Sequence, residues 1–561
     1  MAYGVRMIST LLAGILAMQA GAAAAENIMP TTRAMSVPAL MREALVPGLQ
    51  MAFIDGRNIK VLPFGMADVQ TRTPVTSDTV FEAASLSKPV FAYAVMRLAT
   101  EGRIDLDAPI GRYDSDLPPA LARVTPRQLL SHSAGLPNSP QIETPTVEVA
   151  SPPRFSYSGE GYNLLQGVVE KITGDPTERM MERLVFEPLG MVSSSYIWRD
   201  DYRTRKAFGH GYTGNSAGRN RIKDARVASS LETTAGDYAR FLLAAVAGRG
   251  IRSDLARDFL RAQVPLEDGC VECLGKPRMP PSNRRFWSLG FGLEETGNRR
   301  IIWHFGDNQT MQSYAAVDKT TGRGLVILTN SANGHSIVRQ LASSQLSVDA
   351  PGYAWAATYT AYTDPARRVL TKIVRSGTSS LSTTDLALPQ QELVDVAEKL
   401  ISGGRPADAA DLARRLIERG KPTASTFVLL AEAERKSGEF PQARAAAAAA
   451  LRLEPASAKA RQALTRIEQT ERVIPHELLD QYSGRYSSPY GELEIRREKG
   501  HLTAQLPDQP PSELLPLDDH SFTMEAWGVP IEFIRDAIGV VTHAVVRAGG
   551  EQRLPKLRAR T

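Results

Sequence analysis

One short segment, Ser85-Leu86-Ser87-Lys88, carries the residue types and spacing for nucleophilic chemistry. A serine hydroxyl attacks a carbonyl only when a neighbouring base removes its proton. A lysine can do this once burial or nearby positive charge lowers its pKa. An apolar pattern from about Ser85 to Thr100, stopping at Gly102, predicts a helix. Ser85 would then sit at the helix N-terminus, where the backbone adds positive potential near a developing oxyanion, with Lys88 on the same face. Alone the pair is a weak signal. About one Ser-x-x-Lys arises by chance in a chain this long, and a helix N-cap serine followed by a solvated lysine reads the same way.

Two further segments change its weight. Phe155-Ser156-Tyr157-Ser158-Gly159-Glu160-Gly161-Tyr162-Asn163 places Tyr157 on a turn ahead of a helix expected at Tyr162–Ile172. Ile301-Ile302-Trp303-His304-Phe305-Gly306 reads as a strand ending in His-x-Gly. In this chain order the three elements resemble the class C serine β-lactamases and the related penicillin-binding proteins, esterases and D-amino-acid peptidases. Leu129-Leu130-Ser131-His132-Ser133-Ala134-Gly135-Leu136-Pro137, Glu187-Pro188-Leu189-Gly190-Met191 and Gly209-His210-Gly211-Tyr212 extend the resemblance over roughly residues 37–347.

The resemblance implies that Ser85 is acylated, with Tyr157 as general base (a phenolate or a shared proton) and Lys88 tuning its pKa. The backbone amides of Ser85 and Asp307 would form the oxyanion hole, and Gly306 would leave room for substrate along the strand. His304 would replace the family's lysine, orienting a substrate carboxylate or passing a proton. His132 is read as structural. No metal or other cofactor is implied. There are two departures. Gly159 stands where the family often has Asn, which removes a side-chain amide that would hold substrate. His304 has a neutral form near pH 7 and grips a β-lactam carboxylate less firmly than lysine. Both count against efficient antibiotic hydrolysis and leave nucleophile, base and oxyanion donors in place. The expected activity is an exported serine hydrolase that cleaves an amide or peptide bond of a small-molecule or peptide substrate, including short linear or unusual peptides. The alternatives are a carboxylesterase, a true β-lactamase or D,D-peptidase, and, from another class, a non-catalytic sensor or scaffold.

The chain has 561 residues, too many for one core, so two to four domains are expected. Gly48–Ile54 and Ile59–Phe64 read as strands around an Asp55-Gly56 turn. Helices follow at Pro176–Leu184 and Ala235–Ala247, then β-rich runs at Ser313–Val317 and Gly324–Leu328 and a helix at Ile337–Leu346. Strands at both ends with helices between them predict an α+β domain over residues 26–350, its antiparallel sheet closed by distant segments. Residues 351–387 are rich in Ser, Thr and Ala and read as an irregular linker. Residues 388–472 are helical, and Ala397/Ala431, Leu393/Phe427 and Gly404/Gly438 each lie 34 residues apart. That is the period of tetratricopeptide repeats, although a generic Ala-rich hairpin fits as well. This segment is the candidate surface for a protein partner or self-association. Residues 473–561 read as a small all-β barrel or sandwich.

Composition narrows the setting. Hydrophobic residues at 43% and charged residues at 23% describe an ordinary globular chain. A net charge of +5 without blocks of like charge argues against a nucleic-acid partner. Arg6, an apolar run from Met7 to Met18 and Gly21-Ala22-Ala23-Ala24-Ala25 have the form of a secretory signal peptide over residues 1–25, which predicts a periplasmic or secreted protein. No later stretch is long and apolar enough to span a bilayer. The two cysteines, Cys270 and Cys273, have the spacing of a redox site, half a zinc site or a local disulfide. A loop-stapling disulfide suits an oxidising compartment best.

Overall fold

The computed structural model describes residues 35–138, 153–356, 360–420, 422–498, 500–547 and 551–558. The signal-peptide reading of residues 1–25 lies outside them. Strand Gly48–Asp55 is the hub of the first domain. It pairs through the Asp55-Gly56 turn with Asn58–Asp68, and on its other edge with Arg323–Thr329, more than 260 residues away. The antiparallel sheet has nine strands, in the order Thr73–Pro74, Asn58–Asp68, Gly48–Asp55, Arg323–Thr329, Gln312–Asp318, Arg299–Asp307, Gly292–Thr296, Pro281–Trp287 and Val264–Glu267. Helices Ala235–Val246 and His335–Leu346 pack on it. This is the α+β domain expected, closed by distant segments.

Helix Ser87–Thr100 runs through the main core. Twelve of its 14 residues are buried, so it is enclosed rather than amphipathic. Val90, Phe91, Val95 and Leu98 are its chief contributions to the core shared with Leu165, Val169, Phe241 and Phe291. A helix locked this way fixes whatever precedes it, and Ser85 does.

Residues 351–387 depart from the irregular linker expected. They contain helix Pro365–Ser376, whose Val369, Leu370 and Ile373 share a core with Leu393, Ala397 and Leu400. The helix is locally specified. The Asp364 side chain accepts from the N–H groups of Ala366 and Arg367, Pro365 opens the first turn, and Gly377 follows the last. Among the described residues between 388 and 472, five α-helices follow, Gln390–Ser402, Pro406–Glu418, Ala424–Ser437, Phe440–Leu453 and Ala458–Glu471. Alternate helices start at 390, 424 and 458, and at 406 and 440, steps of 34 residues.

The C-terminal segment is an eight-stranded antiparallel meander from Gly484–Ser488 to Glu551–Pro555. A bridge between Tyr486 and Lys556, and the Leu557 N–H donating to Arg485 O at 2.7 Å, bring its ends together as a nearly closed barrel. Tyr486, Leu493, Phe522 and Phe533 fill it. No helix among the described residues is long and apolar enough to cross a membrane.

Candidate active site

Ser85 is half-buried and lies two residues ahead of helix Ser87–Thr100. The turn that presents it is strained and firmly tied. Ala84 has φ +50, a left-handed conformation that costs a residue with a Cβ about 1–2 kcal/mol. The Ser87 hydroxyl donates to Ala84 O at 2.5 Å and accepts from Leu231 N–H at 2.9 Å. The Ser313 hydroxyl donates to Ala83 O at 2.8 Å. Gly306 completes the seat, since a Cβ there would lie 2.4 Å from Ala83 O and 3.0 Å from Ser85 N. Only a glycine lets the strand lie this close to the Ser85 backbone. Strand Arg299–Asp307 pairs with Gly292–Thr296 only as far as Trp303, whereas Gln312–Asp318 covers it out to Asp307. From His304 to Asp307, among the described residues, one edge of the strand therefore has no strand partner, next to Ser85.

Lys88 Nζ stands 3.1 Å from Ser85 Oγ and donates to Ala228 O at 2.7 Å. It also lies 4.8 Å from the centroid of the Tyr157 ring. The side chain is buried, and burial alone pushes its pKa from the usual 10.5 down to about 7. Close to half of Lys88 is then an uncharged amine at neutral pH, with a lone pair for the Ser85 proton.

Tyr157 immediately precedes the N-cap of helix Gly159–Thr173, where the Ser158 hydroxyl accepts from Gly161 N–H at 2.8 Å. Its backbone N–H donates to Val271 O at 2.9 Å, and the next N–H, of Ser158, donates to His132 Nδ1 at 3.0 Å. Burial raises the Tyr157 pKa and Glu272 adds to the rise. The nearby Ser85 hydroxyl offsets it only partly, and among the described residues no atom closes a well-formed hydrogen bond on Tyr157 Oη. Tyr157 is thus a phenol at neutral pH. This differs from the phenolate option in the sequence reading, and the reason is the apolar, aromatic wall around the ring.

Two histidines form part of that wall. His132 lies with its ring centroid 4.4 Å from Tyr157, and Trp287 lies 5.3 Å from both His132 and His304. His132 Nδ1 accepts a backbone hydrogen bond, so its proton sits on Nε2. His304 is the opposite tautomer: its Nδ1 lies 2.7 Å from Phe305 O, a group that only accepts, which leaves a lone pair on Nε2. Burial, reinforced by the nearby Lys88 charge, pushes His304 down to about 3. His304 is therefore neutral and fully buried, so it supplies no cation for a substrate carboxylate.

Gly159 is filled in by a residue the sequence reading did not single out. Its N–H donates to Asn138 Oδ1 at 2.9 Å, and a Cβ there would lie 2.6 Å from Asn138 O. Asn138 Nδ2 in turn donates to Glu272 at 3.0 Å. Asn138 directly follows the Gly135-Leu136-Pro137 end of the motif read from the sequence, so its position was the available signal. Glu272 lies in the loop closed by the Cys270–Cys273 disulfide. That loop is docked beneath Tyr157 by the Cys273 N–H bond to Ser156 Oγ at 2.9 Å. Glu267 and the two cysteines are the one grouping of metal-ligand types among the described residues. The disulfide occupies both sulfurs, and Arg154 holds both carboxylate oxygens of Glu267 at 2.9 Å.

Asp307 is exposed, and its side chain shapes the following turn by accepting from Gln309 N–H at 2.7 Å and Gln312 Nε2 at 2.9 Å. Ser85, Lys88, Tyr157, His304, Gly306 and Asp307 thus come together around one strand end, and Gly159 joins them through Asn138.

A family model described as Beta-lactamase matches residues 36–385, more than half of the chain. Esterase EstB of Burkholderia gladioli is 30% identical over 166 residues, covering 24% of this chain and 42% of its own. Penicillin-binding protein 4 of Amycolatopsis lactamdurans is 30% identical over 233 residues, covering 37% of this chain and 58% of its own. The chain spans about half the length of these curated relatives. A class C β-lactamase from Rhodobacter sphaeroides is similar in structure, with a TM-score of 0.44 at 18% identity, over 52% of this chain and 91% of that one.

Proposed function

Because the chain belongs to the β-lactamase family of serine hydrolases, we propose that it hydrolyses an amide or peptide bond through an acyl-enzyme on Ser85. The observation that carries this reading is Lys88 Nζ, 3.1 Å from Ser85 Oγ and lowered to about 7. Neutral Lys88 takes the Ser85 proton as Oγ bonds to the substrate carbonyl carbon. The carbonyl oxygen becomes an oxyanion held by the N–H groups of Ser85 and Asp307. As the C–N bond breaks, the Tyr157 phenol gives its proton to the leaving nitrogen, and the Lys88 ammonium returns one to Tyr157. Water then attacks the acyl carbonyl, its proton passes to the same pair, and Ser85 is released with a carboxylic acid.

The charge of the site supports a reacting carbonyl with no carboxylate beside it, such as an internal amide of a short linear peptide. His304 is neutral, and Gly159 offers no side-chain amide. An ester is the second reading, supported by the likeness to esterase EstB. The N-terminal sequence pattern and the disulfide support export to the periplasm or beyond. The 34-residue helical pitch supports a tetratricopeptide-like role for residues 388–472, with a cleft between alternate helices lined by Val394, Val428, Glu432, Lys459 and Arg466 to receive a partner or a second copy. Full-length protein assayed on nitrophenyl esters, D- and L-peptide amides and a chromogenic cephalosporin tests the substrate class. Turnover of peptide amides with little cephalosporin cleavage is expected. A cephalosporin turned over faster than every amide and ester would assign a β-lactamase instead.

A further inference from the structure

The loop Gly218–Arg221 is gripped from two sides. One grip is the hairpin tip between His501–Gln505 and Ser512–Pro516 of the C-terminal barrel. Asp508 Oδ2 accepts from Arg219 Nε at 2.9 Å and Arg221 Nε at 2.8 Å. Asp508 O accepts from the Arg219 N–H at 3.0 Å, and Gln509 Nε2 donates to Asn220 Oδ1 at 3.2 Å. The two backbones meet so closely that a Cβ on Gly218 would lie 2.4 Å from Asp508 O, and Gly218 has φ +84, so glycine is required there. The Arg219 guanidinium is buried, lies 4.4 Å from the Phe208 ring centroid and donates to Lys206 O at 2.9 Å. Asp508 is the carboxylate that balances it.

The other grip reaches the active site. Asn220 donates to the Glu82 carboxylate through its backbone N–H at 3.3 Å and through Nδ2 at 3.2 Å, and its carbonyl accepts from Lys206 Nζ at 2.7 Å. Glu82 is three residues ahead of Ser85. Its Oε2 also accepts from Asn308 Nδ2 at 3.2 Å, and Asn308 follows Asp307 directly. One asparagine therefore links the barrel tip to both chain segments that carry the oxyanion amides.

We propose that Asp508 and Gln509 of the C-terminal barrel are positioning residues for acylation of Ser85. By fixing Arg219–Arg221 they hold, through Asn220 and Glu82, the N–H groups of Ser85 and Asp307 at the spacing the oxyanion needs. This rests on the reading of Ser85 as the nucleophile. Donors aimed at a developing oxyanion act mainly in the transition state, so their displacement lowers the chemical rate more than binding.

The test is fluorophosphonate labelling of the full chain, quenched over time and read by intact mass, giving kinact and KI separately. Asp508→Ala is expected to lower kinact about tenfold and Gln509→Ala about threefold with KI unchanged. Asp508→Glu should recover most of the rate, and all three should keep the parent's near-ultraviolet circular dichroism. Parent kinact in both alanine variants sinks the coupling alone. So does a loss that only tracks the unfolded fraction and that Asp508→Glu fails to rescue. A folded parent that never labels removes the reading of Ser85, and this inference with it.

Discussion

Lys88 and Lys206 are both fully buried in the same domain, and their surroundings drive them to opposite charge states. Around Lys88 are a carbonyl oxygen, the Ser85 hydroxyl and the faces of Tyr157 and Tyr162, and burial pushes the amine down to about 7. Lys206 suffers the same burial, but Glu232 Oε1 at 2.6 Å and Glu82 Oε1 at 2.9 Å outweigh it and raise its pKa. The carboxylates divide the cost. Burial opposes charge on Glu82, but Lys206, Asn308 and Asn220 hold its pKa down. Burial takes Glu232 up to about 7, and among the described residues its Oε2 has no hydrogen-bond partner. One residue type is thus readily deprotonated where, among the described residues, no carboxylate faces it, and held as a fixed structural cation where two do. The lowering of Lys88 corresponds to about 5 kcal/mol of disfavoured charge beside Ser85.

The largest way to break this contrast is to make Lys88 permanently charged. Lys88→Arg keeps a cation at every accessible pH and is expected to lower the acylation rate about a thousandfold, as is Lys88→Met. An arginine variant that keeps a tenth of the rate, measured by stopped labelling, would show that Lys88 takes no proton. Next comes stability, where one kind of substitution should have opposite signs at the two sites. Lys206→Met leaves two glutamates buried without a cation and should cost about 3–5 kcal/mol. Lys88→Met removes a desolvated amine and should gain about 1–2 kcal/mol. Denaturant midpoints compare them directly, and equal signs would erase the distinction.

Much of the site was legible in the sequence because its parts are local. Ser85 to Lys88 is one helical turn, Tyr157 precedes a helix cap, and His304 and Gly306 alternate along one strand. The Lys206 cluster was not legible. Glu82 and Glu232 meet only because Phe81–Glu82 pairs with Glu232–Thr233, a contact with no signature in either segment. Asp508 is further still, on a hairpin of another module. Helix Pro365–Ser376 was hidden differently. Its Asp364, Pro365 and Gly377 were readable start and stop signals, but the Ser- and Thr-rich surroundings outweighed them. The charge states of His304 and Tyr157 follow from burial, which composition and spacing do not reveal.

Smaller effects sharpen the same contrast. kcat/KM should rise about tenfold per pH unit and level off above about 7, where Lys88 becomes neutral. The folded-state pKa of Lys88 lies below its unfolded value, so between about pH 7 and 10 the unfolded chain binds the extra proton. The contribution of Lys88 to stability therefore rises with pH across that window, and the advantage of Lys88→Met over the parent should narrow as it does. A constant advantage would mean that Lys88 does not titrate there. Smallest of all, Asn138→Ala removes the amide that fills in for a side chain at Gly159. A roughly fivefold fall in kcat/KM on peptide amides is expected, in line with one lost hydrogen bond of about 1 kcal/mol.

The most direct measurement is intact mass, followed by peptide mapping, of the folded parent and of Ser85→Ala after incubation with a fluorophosphonate. The expected result is one adduct per parent chain, mapped to the peptide containing Ser85 and absent from Ser85→Ala. A folded parent without an adduct, or an equal adduct on Ser85→Ala, would contradict the assignment of Ser85 as the nucleophile.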